Sequence, residues 1–183
     1  MEQVQTEVKI KGRDGNPMRD IRVEKLTVNI GVGEGGKKLE NALKLIEKMT
    51  GRKGVITNAR VRNPTFKIKK GDPIGAKVTL RKGAAVEFLK KAFQAVDNKI
   101  KSSSFDVYGN FAFGIHEYID FPGVKYDPEI GIIGFDVCVT LCRKGLRVAK
   151  RRVARRALDK KQRVTREEAI AFVQNNFNVS VVD

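Results

Sequence analysis

The stretch TNARVRNPTFKIKKGDPIGAKVTLRKG, residues 57–83, most narrows what this chain can fold into. Its second half alternates, with Ile74, Ala76, Val78 and Leu80 set against Gly75, Lys77, Thr79 and Arg81. A period of two sends the apolar set to one face of a β-strand and the polar set to the other. Residues 60–70 read as the preceding strand, with Gly71-Asp72-Pro73 as the turn between them. The result is a hairpin with one face for a core. Its other face carries Lys77, Thr79 and Arg81, with Arg60, Arg62, Lys67, Lys69 and Lys70 close by. Asp72 is the sole acid of the stretch. A surface of that kind suits phosphates.

The flanking segments repeat the theme of half-buried elements. From Lys25 onward Leu26, Val28, Ile30 and Val32 face one way, and Lys25, Thr27, Asn29 and Gly31 the other. This predicts a strand over 21–32 in a sheet with one exposed face. Leu39, Ala42, Leu43, Ile46 and Met49 predict a helix over 37–49, stopped at Thr50-Gly51. A second helix is expected over 84–100, on the stripe Leu89, Phe93, Val96 and Ile100. Strands are expected over 108–118, 135–141 and 179–182, with an irregular loop over 119–134. A basic helix is expected over 146–162. A last helix opens on the capping box Thr165-Arg166-Glu167-Glu168. Helices and strands interleave without a regular strand–helix repeat. That predicts an α+β fold: a mainly antiparallel sheet, helices on one face, and a protruding basic β-hairpin. At 183 residues one domain over 1–183 is expected.

Charge points to the partner. Lys and Arg number 37 against 21 Asp and Glu, a net +16, and an excess of that size favours a polyanion. Residues 143–166 concentrate it: Arg143, Lys144, Arg147, Lys150, Arg151 and Arg152 are followed by Arg155, Arg156, Lys160, Lys161, Arg163 and Arg166, against a lone Asp159. Only Val148, Val153, Ala157 and Leu158 give this segment an apolar stripe, too thin for a membrane-surface helix. No run approaches the roughly 18 apolar residues of a membrane span, and residues 1–12 lack the apolar core of a signal peptide. A cytoplasmic protein with no membrane partner is expected. Cys138 and Cys142 lie roughly 13 Å apart on a strand rising about 3.3 Å per residue, too far for a disulfide. No helix-turn-helix or zinc finger is visible to fill a DNA major groove. A basic sheet face suits irregular RNA, where phosphates and unstacked bases are both presented.

Catalytic readings fare poorly. Residues 31–38, GVGEGGKK, satisfy both GxGxxG and GxxxxGK after a strand and before a helix. However, Lys38 stands where a magnesium-binding hydroxyl is needed, Glu34 would sit inside the phosphate cradle, and the preceding strand alternates instead of being apolar throughout. His116 is the only histidine, and no CxxC pair accompanies it, so neither a zinc site nor a cysteine–histidine nucleophile is supported. No enzyme activity, metal or cofactor is expected.

Several segments together resemble one family. They are KLTVNIGVGEG at 25–35, TGRKGVITNAR at 50–60, GDPIGAKVTLR at 71–81, FDVYGNFAFGIHEYIDFPGVKYD at 105–127 and GFDVCVTL at 134–141. In this order they resemble the ribosomal protein L-five family, whose members bind 5S rRNA in the large subunit. The basic 143–166 segment is similar to the archaeal and eukaryotic branch. The resemblance implies a structural role in the central protuberance. It implies contacts with 5S rRNA, 23S-type rRNA, P-site tRNA, small-subunit protein S-thirteen and other central-protuberance ribosomal proteins. The family's 5S contacts fall here on Asn29, Arg52, Phe66 and Thr79, with Arg52 replacing a glutamine common in bacterial members. Lys67, Lys69, Lys70, Lys77, Arg81, Arg60 and Arg62 are expected to position phosphates, and so are Arg147, Arg151, Arg152 and Arg155 in the basic segment. Phe66 is open between a core position and a base-stacking one. Two other classes also remain open, a free-standing RNA chaperone and a nucleotide-dependent enzyme.

Overall fold

The computed structural model describes residues 16–33 and 35–182. Residues 1–14, whose mixed charges and valines read as a first strand or a loose arm, and Glu34 of the glycine loop lie outside the described residues. Seven strands are described: β1 (Ile21–Gly31), β2 (Val55–Asn58), β3 (Pro73–Leu80), β4 (Lys99–Lys101), β5 (Phe111–Ile115), β6 (Phe135–Arg143) and β7 (Ser180–Val182). Four α-helices are described, α1 (Lys37–Thr50), α2 (Gly83–Gln94), α3 (Arg147–Lys150) and α4 (Arg166–Phe177). Five strands form one mainly antiparallel sheet in the order β2-β3-β1-β6-β5, and β4 pairs in parallel with β7. The α+β class is therefore as expected. The burial patterns show why the sheet has two unlike faces. Leu26, Val28 and Ile30 of β1, Ala76, Val78 and Leu80 of β3, and Phe135, Val137, Val139 and Leu141 of β6 are all buried. The intervening residues are half-buried or exposed.

The chain divides into two compact units. One comprises residues 27–80 and 113–138. In it α1 buries Leu39, Ala42, Leu45 and Ile46 and packs on β3. Gly51 ends α1 in the left-handed conformation, φ 64°, its N–H donating to Glu47 O at 2.8 Å. The 119–134 segment is irregular, as expected. It is fastened by Asn41 Nδ2 donating to Glu129 O at 2.6 Å and by an ion pair between Lys48 and Asp127. Tyr118, fully buried, accepts the Asp127 N–H at 2.8 Å through its hydroxyl.

The other unit comprises residues 16–26, 81–112 and 139–182. Its core is aromatic. Phe93 of α2 stacks on Phe111 at 6.3 Å between centroids and meets Phe177 of α4 edge-on at 5.2 Å. The predicted capping box is present: Thr165 Oγ1 accepts the Glu168 N–H, and Glu168 Oε2 accepts the Thr165 N–H at 3.1 Å.

Four expected boundaries are corrected. The strand expected over 108–118 shortens to β5, because Gly109, at φ 74°, closes a turn onto Asp106 O and a 3-10 turn begins at Tyr118. The helix from 84 ends at Gln94, not 100, because the chain turns through Asp97 and Asn98, both at positive φ, to enter β4. The strand expected over 60–70 is absent: the hairpin's first strand is β2, and 59–72 form its loop. In that loop Pro64 has no amide to donate, and Asn63 Oδ1 caps the Thr65 N–H at 3.1 Å, which favours a turn. Extending the pair Asn63–Ile68 would also set Arg62 against Lys69, a destabilising like-charge pair. The basic helix expected over 146–162 shrinks to α3, four residues. A continuous helix would stack Arg147 on Arg151, Arg151 on Arg155 and Arg152 on Arg156 at i,i+4, each pair repulsive. Val153, 78% exposed, shows that no burial offsets this.

Candidate nucleic-acid interface

In the unit of 27–80 and 113–138, the same alternation that buries one side of the sheet presents polar side chains on the other. Asn29 on β1 is half-buried, and Lys77 and Thr79 on the adjacent β3 are exposed. β1 and β3 approach closely enough that a Cβ on Gly75 would stand 2.6 Å from Ile30 O. That contact leaves no room for a side chain and keeps the polar face continuous between the two strands. Arg52 is exposed just past α1, in a turn where Thr50 Oγ1 donates to Ile46 O at 2.7 Å and accepts the Arg52 N–H at 3.3 Å.

The 59–72 loop is ordered by its own bonds. Ala59 N–H donates to Asp72 O at 2.8 Å, and Gly71 N–H returns to Ala59 O at 2.9 Å. Asn63 and Ile68 exchange both backbone bonds, and Lys67 N–H closes a turn onto Pro64 O at 3.0 Å. Thr65 and Phe66 therefore form the centre of that turn. Phe66 is 70% exposed, so the core alternative is excluded. Arg60, Arg62, Lys67, Lys69 and Lys70 are exposed around it. The stretch's one acid is turned inward to the loop's construction: Asp72 Oδ2 accepts the Lys69 N–H at 2.7 Å. The surface left outward is cationic with an aromatic tip, chemistry that pairs phosphates with a base-stacking ring.

The glycine loop is not a phosphate cradle. The N–H groups of Val32 and Gly33 both donate to Ile74 O at 2.9 Å, so two amides a P-loop would aim at phosphate hold β3 instead. Among the described residues no group of three or more His, Cys, Asp or Glu is placed to hold a metal, and no helix is long and apolar enough to cross a membrane. His116 is exposed. Cys138 is exposed and Cys142 buried, both free. Burial, then the neighbouring Asp136, pushes the Cys138 thiol up; burial does the same to Cys142. Both are thus poorly reactive at neutral pH.

The other unit holds the basic segment, and here the structure sorts the cations. Arg143, with a side chain 10% exposed, bonds Glu168 Oε1 at 2.5 Å and Lys161 O at 3.0 Å. Lys144 faces Asp20 at 3.6 Å, and Arg166 donates to Ser102 O and Oγ at 2.7 and 2.9 Å. Lys150 pairs with Glu24, which also draws Arg81 to 3.8 Å. These contacts fasten the protein to itself, with Arg81, its side chain 56% exposed, the most loosely held. Past α3 the chain doubles back: Arg151 Nε donates to Ala154 O at 2.8 Å, Ala154 takes φ 51°, and Arg156 N–H reaches Val148 O at 3.2 Å. Arg147, Arg151, Arg152 and Arg155 are exposed along this turn. The expected binding residues thus form two sets, one per unit: Asn29, Arg52, Lys77, Thr79 and the 59–72 loop in the first, and the 147–155 arginines in the second. Glu24 escaped the sequence reading, and Glu168 was read as a capping-box member and not as a partner of Arg143. The only signal of these pairings was an acid inside a basic neighbourhood.

Comparison with known proteins is consistent with this geometry. Residues 16–69 match the family described as ribosomal protein L5, and residues 73–172 match the C-terminal part of the same ribosomal family. The large ribosomal subunit protein uL5 of Sulfurisphaera tokodaii is 53% identical over 169 residues, 92% of this chain and 96% of that protein. The proteins of the same name from Sulfolobus acidocaldarius and Pyrobaculum aerophilum are 51% and 52% identical, over 92% and 91% of this chain and 94% and 93% of theirs. With matches of this extent at both ends of the fold, the chain belongs to the ribosomal protein L5 family.

Proposed function

We propose that this chain is a structural, non-catalytic constituent of the cytoplasmic large ribosomal subunit that binds 5S rRNA and helps attach it in the central protuberance. The observation that carries the reading is the polar sheet face. Asn29, Lys77 and Thr79 offer hydrogen bonds and charge there, on two packed strands backed by a buried core. Rigid strands place such groups better than loops do. The exposed Phe66 turn suits base stacking within the expected 5S contacts, and the 147–155 arginines suit rRNA phosphates; 23S-type rRNA and P-site tRNA are further expected partners. Small-subunit protein S-thirteen and other central-protuberance proteins complete the expected set of partners.

The test is binding to 5S rRNA, tRNA and an unrelated RNA hairpin over a salt series. Electrostatic attraction weakens for all three as salt rises. 5S rRNA alone is expected to keep tight binding. Thr79→Ala or Asn29→Ala should each weaken that advantage by about 1–3 kcal/mol, the value of a good base contact. If the three RNAs weaken together and neither variant matters, the charge is generic and an RNA chaperone is the better description.

A further inference from the structure

Within the unit of 16–26, 81–112 and 139–182, a cavity of about 330 Å³ opens beside the basic segment. It lies at the small end of the range for ligand sites, enough for one ring system and too little for a folded peptide. Leu141, Leu146, Leu158 and Val164 supply apolar lining. Tyr108, 55% exposed, lines it too, with the Arg163 guanidinium 5.3 Å from its ring centroid. A planar cation held against an aromatic ring is a ready surface for stacking. Asn110 and Gln162 add edge-reading amides, the Asn110 side chain donating to Asp106 Oδ2 in a long bond of 3.4 Å.

The site is built in advance. Gly109 sits so close to Val164 that a Cβ there would be 2.7 Å from its Cγ1, and Arg143 ties β6 to Lys161 O. Arg143, nine-tenths buried, keeps an Nε with no hydrogen-bond partner. Charge decides what enters. Arg163 favours an anion at the mouth of the cavity, but Glu24, 13% exposed, also lines it and repels phosphate inside. An apolar slot with amide edges, one internal carboxylate and a flanking cation fits a base with its phosphate left outside. We propose that this cavity receives one unstacked nucleobase of an RNA loop or single strand, stacked on the Tyr108–Arg163 pair, with its phosphate on Arg163. The inference rests on the RNA-binding reading and adds to it a site for a single extruded nucleotide.

The test uses the full chain and a single-stranded RNA octamer carrying one 2-aminopurine. Leu158→Trp fills the cavity without changing charge. Tyr108→Ala removes the stacking ring at a surface position that the core does not depend on. Each is expected to weaken binding about tenfold, equivalent to the 1.4 kcal/mol of one stacked base, and to abolish the change in 2-aminopurine emission. The salt slope should fall by no more than that nucleotide's own phosphate contact, about 0.7 on a single strand. Arg152→Gln should lower the slope and keep the emission change. Wild-type affinity in both cavity variants, with circular dichroism showing them folded, overturns the cavity proposal alone. Failure of the wild-type chain to bind any RNA at low salt overturns the RNA-binding reading and this site with it.

Discussion

Arg143 and Arg152 belong to the same basic segment and carry the same charge, yet the structure gives them opposite work. Arg143 is 10% exposed and bonds Glu168, itself 40% exposed, as well as the Lys161 carbonyl. Breaking one partner of a fully buried pair costs about 3–5 kcal/mol, and an exposed pair is worth about 0–1. With one partner buried and one half-exposed, about 2 kcal/mol is the reasonable value. The lost carbonyl bond adds about 1. Glu168 keeps its bond to the Thr165 N–H, so the helix cap survives and adds nothing. Arg143→Ala should therefore destabilise by about 3 kcal/mol, or about 6–12 °C in Tm at about 2–4 °C per kcal/mol for a chain of this size. Arg152→Ala, at an exposed position, should change stability by less than about 0.5 kcal/mol. Its effect should lie in RNA affinity, where removing one phosphate contact lowers the slope of log K against log salt by about 0.9 on a duplex or 0.7 on a single strand. Thermal unfolding by circular dichroism and a salt series with 5S rRNA read the two quantities separately. An Arg143→Ala protein with wild-type Tm and a reduced salt slope, or an Arg152→Ala protein that unfolds early, would refute the sorting of cations by their protein partners.

Two further outcomes follow from local geometry. Gly75→Ala should destabilise by more than about 2 kcal/mol, because its Cβ meets the Ile30 carbonyl at 2.6 Å, whereas Gly83→Ala, with open space around it, should be neutral or stabilise by up to about 1 kcal/mol; Tm of the two proteins decides. The Lys48 ammonium, then the Glu129 N–H, holds the Asp127 carboxyl below its ordinary 3.8, so its contribution to stability is present above that pH and is lost as pH falls through the lower folded value; Lys48→Met should return Asp127 toward 3.8 in a carboxyl NMR titration and erase that acid-side dependence.

What the sequence made legible follows one rule. Where burial dictates an element, the sequence predicted it: β1 and β3 alternate as read, β6 stands where a strand was expected, α1 ends at Gly51, and the capping box of α4 is in place. Where no core holds the chain, periodicity misled. The 60–70 segment has valine and isoleucine at strand-like positions, but Val61 is 76% exposed and the backbone follows the Asn63-Pro64 turn and the repulsion of its cations. The 146–162 segment reads as helix by propensity, since arginine, alanine and lysine are good helix formers. Such propensity is worth tenths of a kcal/mol per residue, and repeated like-charge pairs at i,i+4 cost about as much. With no buried stripe to settle the balance, the helix stops at Lys150.

The candidate interface was legible in kind and not in detail, for an electrostatic reason. A net +16 identifies a polyanionic partner, because charge adds regardless of where it sits. Which cations meet that partner depends on where the few acids are, and those lie far off in the chain: Glu24 reaches Lys150 across 126 positions, and Glu168 reaches Arg143 across 25. Such pairings are set by the topology that brings β1, α3, β6 and α4 together, which a local pattern does not contain. Arg81, read as a phosphate ligand from its place on the hairpin's polar face, is drawn toward Glu24. Thr79, two residues before it in the sequence, is exposed and lies in the other unit. An acid held in a basic neighbourhood is thus a marker of construction. Its cationic partners anchor the fold, and the arginines left over are the ones free to meet RNA.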